Sequence, residues 1–244
     1  SLQLSSERVR EPELAVKGRR KPVLPKGYVE LVDWLGDDNR VVDAARVSFG
    51  KKSSEYSEEK NVRLINYLIR HGHTSPLEQV SIVFAIKLPI FVMRQLVRHR
   101  TARLNEISAR YSVLPSDWYT PSPKNMRTQG KANKQGSGEV LSEGLATELA
   151  LKIEHHSRES YELYNSLLNS GLSREMARVV LPVNMYTEIV WQIDLNNLLK
   201  FLDQRLHPHA QWEIQEYARA IYKCIEEIVP HCLNAWEEKK NPQT

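Results

Sequence analysis

Two cysteines in 244 residues are too few for a disulfide framework, and Cys224 and Cys232, eight apart, form no CxxC redox or zinc pattern. That usage fits a reducing interior, so a cytoplasmic location is expected. No uninterrupted apolar run approaches the ~20 residues that span a bilayer, and the N-terminus shows no signal-peptide core; no membrane association is expected. His71-Gly72-His73 and His207-Pro208-His209 lack a carboxylate or thiol at ligand spacing, and His155-His156 reads as surface decoration on a long helix, so no metal is expected either. Three phosphate and nucleophile signatures are missing. No GxGxxG follows a strand, no GxxxxGK[ST] is present, and there is no GxSxG. A strong charge of one sign is absent too. The 34 Lys and Arg against 30 Asp and Glu leave +4, a modest balance for a nucleic-acid track. No Pro/Gly-rich divider splits the chain, which favours one domain.

Positive charge is instead concentrated. Between Pro76 and Arg110 stand six Lys or Arg and two Glu. The densest stretch, Arg98 to Ser112, holds four arginines, one histidine, one carboxylate and several small hydroxyl residues. Guanidinium forks match phosphate oxygens two at a time. A rigid element crowded with them suits a small anionic ligand. Gln95, Arg98, Arg100, Arg103 and Arg110 are the candidate donors. Glu106 can accept from an amide or hold one of the arginines. Ser108 and Ala109 are small enough for backbone N–H groups to approach an anion. The residues alone thus point to a binder of a phosphorylated small molecule, with an enzyme as the favoured kind. Two rivals use the same patch: a nucleic-acid-binding regulator, and a hydrolase or phosphotransferase acting on nucleotides.

Hydrophobic periodicity places these groups on an α plus β frame. Residues 1 to about 26 are polar and interrupted by Pro12, Pro22 and Pro25, which predicts a poorly packed arm. A strand is expected over Tyr28–Leu35, a helix over Arg40–Phe49, and a helix capped by Ser57 and ended by Gly72. Strict alternation from Val80 to Leu88 predicts the clearest strand. Pro89 then opens a helix expected to run from Ile90 to about Thr101, with Arg94 and Arg98 on one face. Ser116–Gly138 has no apolar period and reads as a lid, an intersubunit arm or plain disorder. Helices are expected over Glu139–Asn169, from Ser173 up to Pro182, over Asn196–Leu206 and over His209–Trp236. Met185–Ile193 is readable as strand or helix.

Several ordered motifs go further. Arg98-His99-Arg100, seven residues and then Ser108 closely resembles the RHRxxxxxxxS signature of the flavin-dependent thymidylate synthases. Asn105-Glu106, Arg110-Tyr111-Ser112, Gly72-His73, Ala45-Arg46-Val47-Ser48, Arg178-Val179-Val180-Leu181-Pro182, Arg205 and His209-Ala210-Gln211-Trp212-Glu213 are similar to that family as well. The resemblance covers residues from about 28 to 236, so the catalytic domain is expected over 27–240.

The resemblance implies a single-domain α/β (α+β) subunit. It has a central, mostly antiparallel sheet flanked by helices, with long helices in the C-terminal half. It implies a homotetramer with active sites at subunit interfaces, and FAD as cofactor. It implies conversion of dUMP to dTMP with 5,10-methylenetetrahydrofolate and NADPH as co-substrates, and no nucleic-acid partner. By position it implies that Arg98, His99, Arg100 and Thr101 contact FAD, with Ser75, Glu78, Asp194, Lys200 and His209 also in the cofactor region. His73 would lie near flavin and folate. Gln95, Arg98, Glu106, Ile107, Ser108, Ala109, Arg110 and Arg178 would bind dUMP, and Arg205 would hold the uracil. Arg205, Ser108 and His73 are the implied catalytic group, Ser108 as a substrate positioner. Two departures stand out. Arg103 and Leu104 replace a smaller and a variable residue, and Asp194 and Lys200 stand where relatives often carry Asn.

Overall fold

A computed structural model describes residues 18–131 and 137–242. Its frame is a five-stranded sheet in the order β1-β2-β3-β7-β4, built from β1 (Arg20–Val23), β2 (Gly27–Leu35), β3 (Ser81–Pro89), β4 (Arg103–Glu106) and β7 (Tyr186–Asp194). Every neighbouring pair is antiparallel. The helices are α1 (Asp38–Ala45), α2 (Glu58–Arg70), α3 (Ile90–Leu96), α4 (Glu143–Asn169), α5 (Arg174–Ala177), α6 (Leu195–Arg205), α7 (Trp212–Ile225) and α8 (Pro230–Lys240).

Period-two alternation builds the core. Ile82, Phe84, Ile86 and Leu88 of β3 and Ile189, Trp191 and Ile193 of β7 turn to one face and are buried there. They join one cluster with Leu198, Phe201 and Leu202 of α6 and Ile214, Tyr217 and Ile221 of α7. The register pairs Phe84 with Trp191, whose rings lie 6.2 Å apart, and Phe201 meets Trp191 edge-on. This packing fixes α6 across the sheet and so fixes where Arg205, its last residue, emerges.

Several sequence expectations are corrected. The sheet begins inside the expected arm, because β1 pairs with β2 and Val23 is buried. The remainder of the arm, residues 1–17, lies outside the described residues. The helix expected over 40–49 stops at Ala45 and gives way to a 3-10 turn, Val47–Phe49, closed by Gly50 at φ 62°. The helix expected to reach Thr101 ends at Leu96. The chain must turn there to enter β4, which pairs with β7. The last helix is two, since α7 ends at Ile225 and Pro230, at the first turn of α8, cannot continue a helix. Met185–Ile193 resolves as strand β7.

The 116–138 segment is not structureless. It carries a 3-10 turn, Pro123–Asn125, and a hairpin of β5 (Arg127–Gln129) and β6 (Ser137–Val140), so α4 starts at Glu143 rather than Glu139. Residues 132–136 lie outside the described ones. The long α4 clasps this region instead of the sheet. Glu154 accepts from Trp118 Nε1 and Thr120 Oγ1, and Tyr164 Oη accepts from Leu114 N.

Candidate active site

The C-terminal ends of α3 and α6 meet. Arg205 Nε donates to His99 Nε2 at 3.0 Å, and its Nη2 donates to the Gln95 carbonyl at 2.8 Å. That carbonyl, in the last turn of α3, also accepts from Arg98 N at 3.4 Å, so its second lone pair serves Arg205. Gln95 Nε2 donates in turn to Gln211 Oε1 at 2.7 Å, which ties α3 to the residue that caps α7. The His99 ring stands edge-on to Phe201 at 4.9 Å, so core packing sets its plane. Burial, and then the neighbouring Arg205 cation, push His99 down to about 4. The imidazole is therefore neutral near pH 7 and free to accept. Burial also lowers the pKa of Arg205.

A second cluster forms beyond the sheet edge. β4 pairs Arg103 with Gln192 and Glu106 with Ile189, and Thr187 Oγ1 donates to Glu106 Oε2 at 2.6 Å. Ile107 N extends the ladder to Glu188 O, after which Ser108 to Ser112 make a tight turn. Ser108 Oγ accepts from Arg110 N at 3.3 Å, and Ala109 is buried beneath it. Arg110 Nε pairs with Glu175 Oε1 at 3.1 Å, and Arg178 Nε donates to the Glu175 carbonyl at 3.2 Å. Two guanidinium groups from distant parts of the chain thus converge on one residue. Ser173 caps α5 by accepting from Met176 N, which places Glu175 and Arg178 on this short turn.

Arg98, Arg100 and Arg103 are exposed and make no side-chain hydrogen bond or ion pair with any described residue. Thr101 is exposed beside them. The remaining candidates lie elsewhere. His73 follows α2, with its ring 5.5 Å from that of Tyr67, and Ser75 and Glu78 are exposed on the turn that leads into β3. Asp194, paired with Ser81, caps α6 at the same end of the sheet, accepting from Asn197 N at 3.0 Å and Asn197 Nδ2 at 2.7 Å. Lys200 is exposed in the middle of α6, and no ion pair joins it to Asp194. His209 N donates to His207 Nδ1, with the two rings 4.9 Å apart. Within one chain, then, Gln95, His99 and Arg205 come together, and Arg110 and Arg178 come together. No hydrogen bond or ion pair between described residues links His73, Ser75 or Glu78 to either group.

The family model described as thymidylate synthase complementing protein matches residues 30–231. A flavin-dependent thymidylate synthase of Thermus thermophilus is 51% identical over 217 residues, covering 89% of this chain and 78% of that one. Another from Wolbachia pipientis wMel is 45% identical over 216 residues, covering 88% and 75%. The chain belongs to the flavin-dependent thymidylate synthases. A crystal structure of a UMP/dUMP methylase from Streptomyces cacaoi, bound with 5-Br dUMP, superposes with a TM-score of 0.80 at 32% identity, covering 89% of this chain and 97% of that one.

For a flavin-dependent thymidylate synthase, the donor set fits the cofactor by charge. A phosphorylated flavin carries anionic oxygens, and Arg98 and Arg100 offer two guanidinium groups with no ion pair to any other described residue. Sequence reasoning gave no site role to three side chains that complete these clusters, although Gln211, like Glu213, stands in one of the motifs. Gln211 and Thr187 are neutral partners that no charge pattern marks. Glu175 could have been found, because it lies between Arg174 and Arg178. A fourth, Glu213, is buried at the start of α7 and accepts from Tyr119 Oη at 3.1 Å, which ties that helix to the 116–120 segment.

Proposed function

We propose that this protein methylates dUMP to dTMP, taking the one-carbon unit from 5,10-methylenetetrahydrofolate and reducing equivalents from NADPH through bound FAD. The convergence of Arg110 and Arg178 on Glu175, one short turn from Ser108, is the observation that carries the reading. A nucleotide phosphate outcompetes the half-exposed Glu175 carboxylate for Arg110, and Arg178 gives up only a neutral backbone carbonyl. Ser108 and the N–H groups around Ala109 add neutral donors, Ile107 packs beside them, and Glu106 and Gln95 take the sugar or base. Clamping the phosphate supplies remote binding energy that aims the pyrimidine.

Arg205 performs the polarising role. A cation beside the pyrimidine carbonyl and ring nitrogen stabilises the negative charge that develops as C5 becomes nucleophilic toward the methylene carbon. The two cysteines are buried thiols whose pKa values burial raises, which suits a route without a cysteine nucleophile. Flavin, when bound, supplies the hydride. Arg98, His99, Arg100 and Thr101 would hold it, with Ser75, Glu78, Asp194, Lys200 and His209 in the cofactor region and His73 near flavin and folate.

A homotetramer with sites between subunits belongs to the same proposal. It is supported by His73, Ser75 and Glu78 having no hydrogen bond or ion pair to the arginine clusters of their own chain. The catalytic unit covers 27–240, together with β1 from the expected arm. A cytoplasmic setting is supported by the two unpaired thiols.

The test is a flavin spectrum with and without dUMP, followed by an anaerobic assay with NADPH and methylenetetrahydrofolate. A yellow protein whose bands shift with dUMP and which forms dTMP is expected. A colourless protein that stays inactive after FAD is added overturns the reading.

A further inference from the structure

Among the described residues, Arg205 is anchored along one edge only. Its Nε–H and one Nη2–H point the same way, and that side is spent on His99 Nε2 and the Gln95 carbonyl. A guanidinium carries five N–H donors in a fixed plane. Three remain, and two of those, one on Nη1 and one on Nη2, form the parallel end-on pair. Anchoring matters because an arginine stem otherwise samples many rotamers, at an entropic cost when it must be fixed. His99 can act as an anchor because it is itself held. Phe201, fully buried, meets its ring edge-on, and the His99 backbone N–H donates to Leu96 O. Accepting at Nε2 places the ring proton on Nδ1.

We propose that His99 is a positioning residue for Arg205, holding the guanidinium so that its end-on pair, rather than its side, meets the pyrimidine. Two parallel donors match a carbonyl oxygen and the adjacent ring nitrogen in its deprotonated form. This rests on the reading that Arg205 meets the pyrimidine. It assigns His99 a function distinct from contact with the flavin.

The experiment compares His99→Leu with His99→Gln, whose Oε1 reaches the place of Nε2 and accepts without titrating. Flavin content per subunit and dUMP affinity are read from the flavin spectrum, and the kcat and KM for dUMP from turnover. His99→Leu should weaken dUMP binding by about tenfold or more, measured per flavin-loaded subunit, and His99→Gln should recover most of that loss. An Arg205→Lys background, tested with and without His99→Leu, supplies a second measurement. Because His99 acts through Arg205, the double variant should bind dUMP no worse than Arg205→Lys alone. Equal weakening of dUMP binding in both His99 variants, or additive losses in the double variant, overturns the assignment. Unimpaired dUMP binding in His99→Leu overturns it as well. A wild-type protein whose spectrum ignores dUMP refutes the substrate reading, and this inference with it.

Discussion

Arg110 and Glu175 pair across the gap between the turn after β4 and α5, Nε to Oε1 at 3.1 Å, with side chains 50% and 55% exposed. The carboxylate occupies the guanidinium that the nucleotide phosphate is proposed to need. Exposed pairs of this kind contribute about 0.2–1 kcal/mol. Glu175→Gln should therefore tighten dUMP binding by up to about fivefold at low salt. Its backbone carbonyl, and hence its bond to Arg178, is unchanged. Calorimetric titration at two salt concentrations checks this. Weaker binding in the variant would show that Glu175 orders Arg110 instead of competing for it.

His99 gives the fold a pH dependence with a definite sign. Its folded pKa is held at about 4 against an ordinary value of 6.5. As pH falls from about 6.5, the unfolded chain takes a proton that the folded one refuses, so stability falls with it until about pH 4. Above 6.5 the group contributes no slope. Urea midpoints across this window should fall less steeply for His99→Gln than for the wild type, and parallel curves would contradict the assignment.

Asp194 separates capping from cofactor binding. Its carboxylate caps α6 through Asn197. Asp194→Ala should cost about 0.5–2 kcal/mol, and Asp194→Asn much less, because Asn caps as well as Asp. A thermal melt ranks the two. A change in FAD affinity in Asp194→Asn would then support the proposed place of Asp194 near the cofactor, separately from any loosened helix.

Gly27 opens β2 where a side chain has no room. A Cβ there would fall 2.6 Å from the Val23 carbonyl and 2.7 Å from the Lys87 carbonyl, and would run into Tyr217 Oη. That hydroxyl already donates to Lys87 O at 2.7 Å. Gly27→Ala should destabilise the protein by about 1–3 kcal/mol, as overpacking does. An unchanged melting temperature would disprove the close fit.

Much of the fold is legible in the sequence because period-two alternation is a local signal. Val80 to Leu88 announces β3, and Ser57 and Gly72 bound α2 within a residue or two. Helix ends set by tertiary turns are not legible. Nothing local stops a helix at Leu96, since the stop depends on β4 finding β7. β1 is hidden for a similar reason: Pro22 reads as a breaker until the strand proves to lie at the sheet edge, where a missing N–H is tolerated. At the site, the motif arginines are conspicuous as charges. Their partners are not, because Gln211 and Thr187 meet Gln95 and Glu106 only through contacts more than 80 residues long in sequence.

β4 sits at the rim of the sheet, opposite the side that β1 covers, and is four residues long with Arg103 at one end and Glu106 at the other. A short rim strand bearing charges is a poor template for strand addition by a foreign chain. The residues proposed to greet nucleotide and cofactor therefore also guard solubility. Swapping several of them together for apolar side chains would expose an adhesive border, and the resulting precipitate could be misread as lost catalysis.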